Sequence, residues 1–113
     1  MSKTVAYALA ALIVGAGAAS AAEPVVGSWR TASGEVAKIA PCGGAYCITL
    51  QSGKFKGRQI GRMSGSGGSY SGEITDPAAD KTYAGSAKVT GASMKLTGCA
   101  LKIFCKSQTW TRR

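Results

Sequence analysis

Two short motifs near opposite ends of the chain constrain its fold more than any other feature. Gly27-Ser28-Trp29 begins the first segment of alternating polarity, and Gln108-Thr109-Trp110-Thr111-Arg112 belongs to the last one. In a small closed β-barrel, a tryptophan on the first strand can fill one end, and an arginine on the last strand can lie across its ring. The pattern predicts that Gly27, Trp29, Trp110 and Arg112 close such a barrel structurally.

Short alternating segments recur about every ten residues along the rest of the chain, which is typical of a β-sandwich or β-barrel. Each has one apolar face, as expected for a sheet with one side in the core. Turn sequences such as Asp76-Pro77 separate them. We predict an all-β, antiparallel up-and-down barrel with eight strands at 27–32, 35–40, 45–51, 56–64, 69–75, 81–89, 93–98 and 106–112. Gly72, Gly85 and Ala87 should point inward. In so short a domain we expect them to permit tight coiling, and any cavity to be small.

The first 22 residues have the features of a secretory signal peptide. Lys3 gives a positive start, Val5 to Gly17 is apolar and rich in alanine, and Ala19-Ser20-Ala21 fits a cleavage site. The alternative is a membrane anchor, but alanine and glycine make this segment only weakly hydrophobic. We therefore predict one domain at 23–113, periplasmic or secreted, that does not span a membrane once processed.

Four cysteines in an exported chain favour two disulfides. The local pairs Cys42–Cys47 and Cys99–Cys105 are preferred because each could staple a hairpin or loop. Long-range bridges between the two regions are the alternative. A zinc site is disfavoured by the oxidising compartment and by the spacing of the cysteines.

The chain is strongly basic, with 14 Lys and Arg against 5 Asp and Glu and a formal charge of +9. Such an excess favours anionic partners, or serves solubility alone. Lys54, Lys56, Arg58 and Arg62 have the same parity on an extended strand, so they could form an anion-binding strip for phosphorylated lipid or acidic polymer. The alternative is a solvated outer face. Nucleic acid is not an expected partner, because the strip lacks a row of stacking aromatic residues.

The sequence offers no catalytic constellation. It contains no histidine, which removes the commonest general base and metal ligand. Asp76 and Asp80 flank one turn but supply too few ligands for calcium. We predict no catalytic residue, no metal and no cofactor, and thus a protein that is not an enzyme.

Several segments, taken in order, resemble domain of unknown function 2147, a family of small exported bacterial proteins. The resemblance covers essentially the whole chain after the predicted signal peptide. It implies a lipocalin-like (calycin) barrel in the periplasm or outside the cell, and it implies no agreed activity. The residues that carry it are Gly27-x-Trp29, Cys42-Gly43-Gly44-Ala45-Tyr46-Cys47, Gly72-Glu73-Ile74-Thr75-Asp76-Pro77, Lys81-Thr82-Tyr83, Leu96-Thr97-Gly98-Cys99 and Gln108-Thr109-Trp110-Thr111-Arg112.

Two functional hypotheses follow. The favoured one is a binding barrel for a small apolar or amphipathic ligand of the cell envelope, either lipophilic or anionic. The alternative is a protein-binding module, such as an inhibitor of a protease or other secreted hydrolase. Small disulfide-bearing barrels with an early tryptophan resemble bacterial metalloprotease inhibitors, and here residues 22–26 would be a flexible arm that enters the target's cleft.

Overall fold

The computed structural model describes residues 23–100 and 104–113, with the backbone alone for residue 104. The predicted signal peptide, residues 1–22, lies outside the described residues. The strands are β1 (Gly27–Arg30), β2 (Val36–Cys42), β3 (Ala45–Leu50), β4 (Gln59–Ser66), β5 (Ser69–Asp76), β6 (Lys81–Thr90), β7 (Ser93–Ala100) and β8 (Phe104–Arg112).

The eight strands form a closed antiparallel barrel in which each strand pairs with its neighbours in sequence. The predicted all-β fold and the eight predicted strands are confirmed. The closing contact is short, since β1 and β8 pair at Trp29 with Arg112 and at Arg30 with Thr111. Closure leaves no free edge over this length, which protects the sheet from pairing with other chains.

The two ends of the barrel differ. At one end, here called the closed end, lie residues 23–26 and the turns at 43–44, 67–68 and 91–92. At the other, the open end, lie the loops at 31–35, 51–58 and 77–80, and β7 ends and β8 begins there. Successive strands are joined by short turns at the closed end and by longer loops at the open end.

The hydrophobic core fills the half of the barrel nearest the closed end. Trp29 and Met94 are fully buried, and Ile39 and Ile48 are each 1 % exposed. Tyr46 and Tyr70 meet edge to face, with ring centres 5.7 Å apart. These residues come from five different strands, so the core ties the whole circumference of the barrel together.

Residues 23–26 cross the closed end as a plug. Val25 is 1 % exposed, and its carbonyl accepts the indole N–H of Trp29 at 2.9 Å. On the far side of the barrel, a carboxylate oxygen of Glu23 accepts hydrogen bonds from the Gly67 amide and the Tyr70 hydroxyl, both at 2.8 Å. Because the β4–β5 turn lies opposite β1 in the closed strand order, this segment must span the barrel's diameter.

Both disulfides form as predicted, Cys42–Cys47 and Cys99–Cys105. The first staples the β2–β3 hairpin near the closed end, and the second joins directly paired residues of β7 and β8 near the open end. Two disulfides are consistent with an extracytoplasmic protein. Within the described residues, no helix has the length and hydropathy required to cross a membrane.

Candidate functional site

The half of the barrel nearest the open end encloses a cavity of about 670 Å³. The expectation of a small cavity is therefore wrong, since this volume suits a drug-sized ligand. Trp110 and Leu96 form the bottom of the cavity, where it meets the core. Its other large apolar lining residues are Leu50, Phe55, Ile60, Ile74 and Tyr83.

Three glycines lie in one row across the sheet, and one of them, Gly98, lines the cavity. Gly72, Gly85 and Gly98 are paired with one another across β5, β6 and β7. A Cβ at Gly72 would lie 2.1 Å from the backbone oxygen of Arg62, so this glycine permits the close coiling of β4 against β5. A Cβ at Gly98 would meet Tyr83 at an ordinary 3.7 Å, so here the absent side chain leaves room in the cavity instead.

A β-bulge on β4 shapes the part of the wall next to β5. Ile48 pairs with Gly61 and Thr49 pairs with Gln59, which leaves Ile60 as the extra residue. Ile60 and Gly61 are consequently both buried, although they are neighbours in sequence. The bulge re-aims Ile60 into the cavity, a use of bulges that is common near binding sites.

One cation and one amide from β8 reach the cavity. Lys106 and Gln108 have the same parity as Trp110 and Arg112, and all of them except Arg112 line the cavity. The Gln108 side-chain oxygen accepts the indole N–H of Trp110 at 2.8 Å. Sequence reasoning missed Lys106 and Gln108, although the alternation that assigned Trp110 to the interior already assigns them to the same face.

The rim at the open end is fixed by hydrogen bonds between loops. The Ser52 hydroxyl accepts the Val36 amide at 2.9 Å, joining the 51–58 loop to the start of β2. The Thr31 hydroxyl donates to the Glu35 carboxylate at 3.1 Å, and Ser33 donates to the same oxygen. Those hydrogen bonds, that from Ser33 foremost, hold the pKa of Glu35 below its usual range. Glu35 is thus an ionised group whose acceptor capacity is used within its own loop.

Two further aspartates at the open end also have local partners. Asp76 accepts the amides of Ala78 and Ala79, at 3.0 and 3.4 Å. Asp80 forms an ion pair with Arg58 at 2.7 Å, linking the 51–58 and 77–80 loops. In the described part of the chain, no three His, Cys, Asp or Glu side chains are grouped so that they could hold a metal ion.

At the closed end, Gly27, Trp29 and Arg112 form one unit. The Arg112 guanidinium carbon lies 4.1 Å from the centre of the Trp29 ring, a cation–π contact. The same guanidinium donates to the carbonyls of Val26, at 3.0 Å, and Pro24. Trp110 is the next inward-facing residue on β8 after Arg112, farther from the closed end. It is 3 % exposed and separates the core from the cavity.

The predicted cationic strip does not exist as a continuous face. Gly53 and Gly57 adopt positive φ angles of 86° and 90°, so the chain turns through the 51–58 loop, and β4 begins at Gln59 and not at residue 56 as predicted. Lys54 lies 5.6 Å from the centre of the Phe55 ring, Lys56 is exposed in the loop, and Arg58 is paired with Asp80. Arg62 alone lies on β4, where its guanidinium reaches the sulfurs of Cys42 and Cys47 at 3.5 and 3.7 Å. The parity rule failed because it applies only to extended backbone.

The predicted N-terminal arm is likewise not free from residue 23 onward. Val25 is buried in the core, and Glu23 and the carbonyl of Val26 are hydrogen-bonded to the barrel. Inserting this segment into another protein's cleft would require opening the closed end. The prediction that residues 23–26 form a flexible arm is therefore wrong; residue 22 lies outside the described residues.

The fold and the site define a class: a small antiparallel barrel with one plugged end and one open end that leads to an apolar cavity. Residues 49–112 match the model of DUF2147, an uncharacterized protein conserved in bacteria, and the chain belongs to this family. The match is shorter than the resemblance predicted, because it excludes Gly27-x-Trp29 and the Cys42–Cys47 hairpin. No curated protein and no solved structure gives a significant match to the chain.

Proposed function

We propose that this protein is a non-enzymatic binding protein that holds a small apolar or amphipathic ligand in the cavity at its open end. The observation that carries the proposal is the cavity of about 670 Å³ with a largely apolar wall. Open apolar cavities with a few converging polar groups are the usual form of small-molecule sites. The chain has no histidine, and Glu35 and Asp76 are occupied by hydrogen bonds within their own loops, which supports binding over catalysis.

We further propose that the protein acts in the periplasm or outside the cell, on a ligand of the envelope. The two disulfides and the leader-like sequence of residues 1–22 support this location. Purification from the periplasm, followed by native mass spectrometry and organic extraction, tests both statements. We expect a bound small molecule in the extract, and a protein that always emerges empty would count against the proposal.

A pair of leucine substitutions tests whether the cavity is the site. Gly98→Leu adds a side chain inside the cavity, whereas Ala84→Leu adds the same group to the exposed outer face of the neighbouring strand. Decan-1-ol serves as a neutral probe, read through the fluorescence of Trp110 at the cavity bottom. We expect Gly98→Leu to weaken binding at least about tenfold, the effect of losing roughly 1.4 kcal/mol, and Ala84→Leu to bind as the unmodified protein does. Equal binding by both variants would place the ligand elsewhere.

A further inference from the structure

We propose that the ligand is an amphipathic anion, a carboxylate or phosphate ester with an apolar chain, and that Lys106 binds its headgroup. This inference rests on the proposed function and adds the headgroup's charge and the residue that recognises it. It follows from where β8 places a single ammonium group relative to the apolar bottom of the cavity.

Lys106 lies above the apolar bottom along the strand that forms part of it. Proceeding from the open end along β8, the inward-facing positions are Lys106, Gln108 and then Trp110. Successive inward positions on a strand are about 6.6 Å apart, so the Lys106 backbone lies roughly 13 Å from that of Trp110 along the strand. A headgroup at Lys106 would thus leave about this length of apolar space for a chain that extends toward Trp110 and Leu96.

The wall beside Lys106 is open. Lys106 pairs directly with Gly98, which pairs in turn with Gly85. At Gly85 the Ile74 side chain fills the space that a Cβ would need, whereas Gly98, which lines the cavity, has no side chain beside the ammonium group. A Cβ at Gly98 would meet Tyr83 only at 3.7 Å, so close packing does not account for this glycine. Gly98 therefore leaves part of the cavity open directly beside Lys106.

Lys106 is the one cation among the described residues that line the cavity, and its charge favours an anion at this level. Within the described part of the chain, no carboxylate lies within ion-pair distance of Lys106, while Arg58 and Asp80 do form an ion pair. The two carboxylates of the lining, Glu35 in the 31–35 loop and Asp76 at the end of β5, accept hydrogen bonds from their own loops. An ammonium without a protein carboxylate gains most from an anionic ligand oxygen, because charge-assisted hydrogen bonds are about twice as strong as neutral ones.

A way in for the ligand exists next to Lys106. β1 pairs with β8 only as far as Arg30 with Thr111, so the part of β8 that carries Lys106 and Gln108 is not covered by β1. Both side chains are exposed even though they line the cavity. The headgroup could therefore remain near solvent, which lowers the desolvation cost of binding a charge.

Four probes with apolar chains of nine or ten carbons and different headgroups test this inference on the purified, oxidised protein. Decanoate and decyl phosphate are anionic, decan-1-ol is neutral, and decyltrimethylammonium is cationic. Each is titrated at neutral pH below its micelle concentration or solubility limit, and the signal is tryptophan fluorescence, to which Trp110 at the cavity bottom contributes. We expect at least one anion to bind about tenfold or more tightly than decan-1-ol, and the cation to bind most weakly. The two anions distinguish a carboxylate ligand from a phosphate ligand.

Lys106→Met and Lys106→Arg identify the residue responsible. Lys106→Met should reduce anion binding to the level of decan-1-ol and leave decan-1-ol binding unchanged, whereas Lys106→Arg should retain the preference for anions. Lys95→Met, which removes a lysine from the outer face of the adjacent strand, is the matched control and should behave as the unmodified protein.

The outcomes separate the two proposals. If decan-1-ol binds as tightly as both anions, if the cation binds best, or if Lys106→Met keeps the anion preference, the inference about Lys106 is overturned while the cavity remains a binding site. If no probe binds, the proposed function fails as well.

Discussion

A Cβ atom at Gly27 would lie 3.0 Å from Nη1 of Arg112. Because Gly27 has no side chain, the Arg112 guanidinium has room to lie across the Trp29 ring. Gly27 also has a φ of 134°, a conformation that residues with side chains rarely adopt. These two facts give a physical reason for a glycine two residues before the buried tryptophan.

Gly27→Ala should therefore destabilise the protein by two mechanisms. Backbone strain contributes about 1–3 kcal/mol, and displacement of Arg112 from the Trp29 ring contributes roughly 1 kcal/mol more. Gly34→Ala is the matched control, because Gly34 has a φ of 98° but no atom within 4 Å of its Cβ position. Chemical denaturation compares the two. Equal losses of stability would show that Gly27 does not make room for Arg112.

Arg112→Lys tests the planar guanidinium itself. A lysine keeps the charge, but it cannot both lie across the indole ring and donate separate hydrogen bonds to the carbonyls of Pro24 and Val26. We expect a loss of about 1–2 kcal/mol in the free energy of unfolding. Arg113→Lys, at the exposed next residue, should change it by less than about 0.5 kcal/mol. An unchanged midpoint for Arg112→Lys would refute a stabilising role for its planar geometry.

Trp29→Ala removes the largest fully buried side chain. The expected cost is about 3–5 kcal/mol, the usual range for an aromatic residue lost from a core. The Val25 carbonyl would also lose its hydrogen bond from the indole. Thermal unfolding followed by circular dichroism measures the effect, and a loss below about 1 kcal/mol would contradict the role of Trp29 in closing the barrel.

Tyr70, at the closed end, should make the protein less stable at alkaline pH. Burial, and then the hydrogen bond to the Glu23 carboxylate, raise the pKa of the Tyr70 phenol above its ordinary value. A phenol whose folded-state pKa is raised contributes stability below the unfolded pKa of about 10, and that stability is lost as the pH rises through the folded pKa. We therefore expect the unfolding midpoint to fall above about pH 10.

Tyr70→Phe and Glu23→Gln separate the Tyr70 contribution from other titrations. Tyr70→Phe should lose about 1 kcal/mol at neutral pH, from the missing hydrogen bond, and should lose less stability than the unmodified protein above pH 10. Glu23→Gln retains an acceptor for the Tyr70 hydroxyl but removes the charge, so its profile should lie between the other two. Parallel profiles for all three proteins between about pH 8 and 11 would exclude Tyr70 as the cause.

The sequence was sufficient for the strands and insufficient for the cavity, and the reason is physical. Strand existence and the local cysteine pairs depend on neighbours in sequence, so alternation and spacing predicted both. The cavity depends on cross-strand register. Gly72, Gly85 and Gly98 lie far apart in the chain, and only the pairing of β5, β6 and β7 places them in one row.

The candidate site likewise combines features that depend on sequence neighbours with features that depend on cross-strand pairing. The inward direction of Lys106 could have been obtained from the alternation of β8 alone, but its position beside Gly98 could not. The failure at Lys54, Lys56 and Arg58 has a different origin, because Gly53 and Gly57 were present in the sequence and indicate turns. The shared parity of the charges predicts a strand that begins at residue 56, three residues before β4 begins at Gln59.

The two disulfides should differ in what their removal does. Each closes a short loop, so the chain-entropy model gives about 2 kcal/mol for either one. Replacing Cys42 and Cys47 with serine alters a hairpin near the closed end, which the core also holds through Tyr46 and Ile48. Replacing Cys99 and Cys105 releases paired residues beside the cavity, next to Lys106.

We expect similar losses of stability but weaker probe binding only for the second pair. Denaturation and the Trp110 fluorescence titration measure the two effects. Equal binding by both double variants would mean that the Cys99–Cys105 bridge does not position the cavity wall.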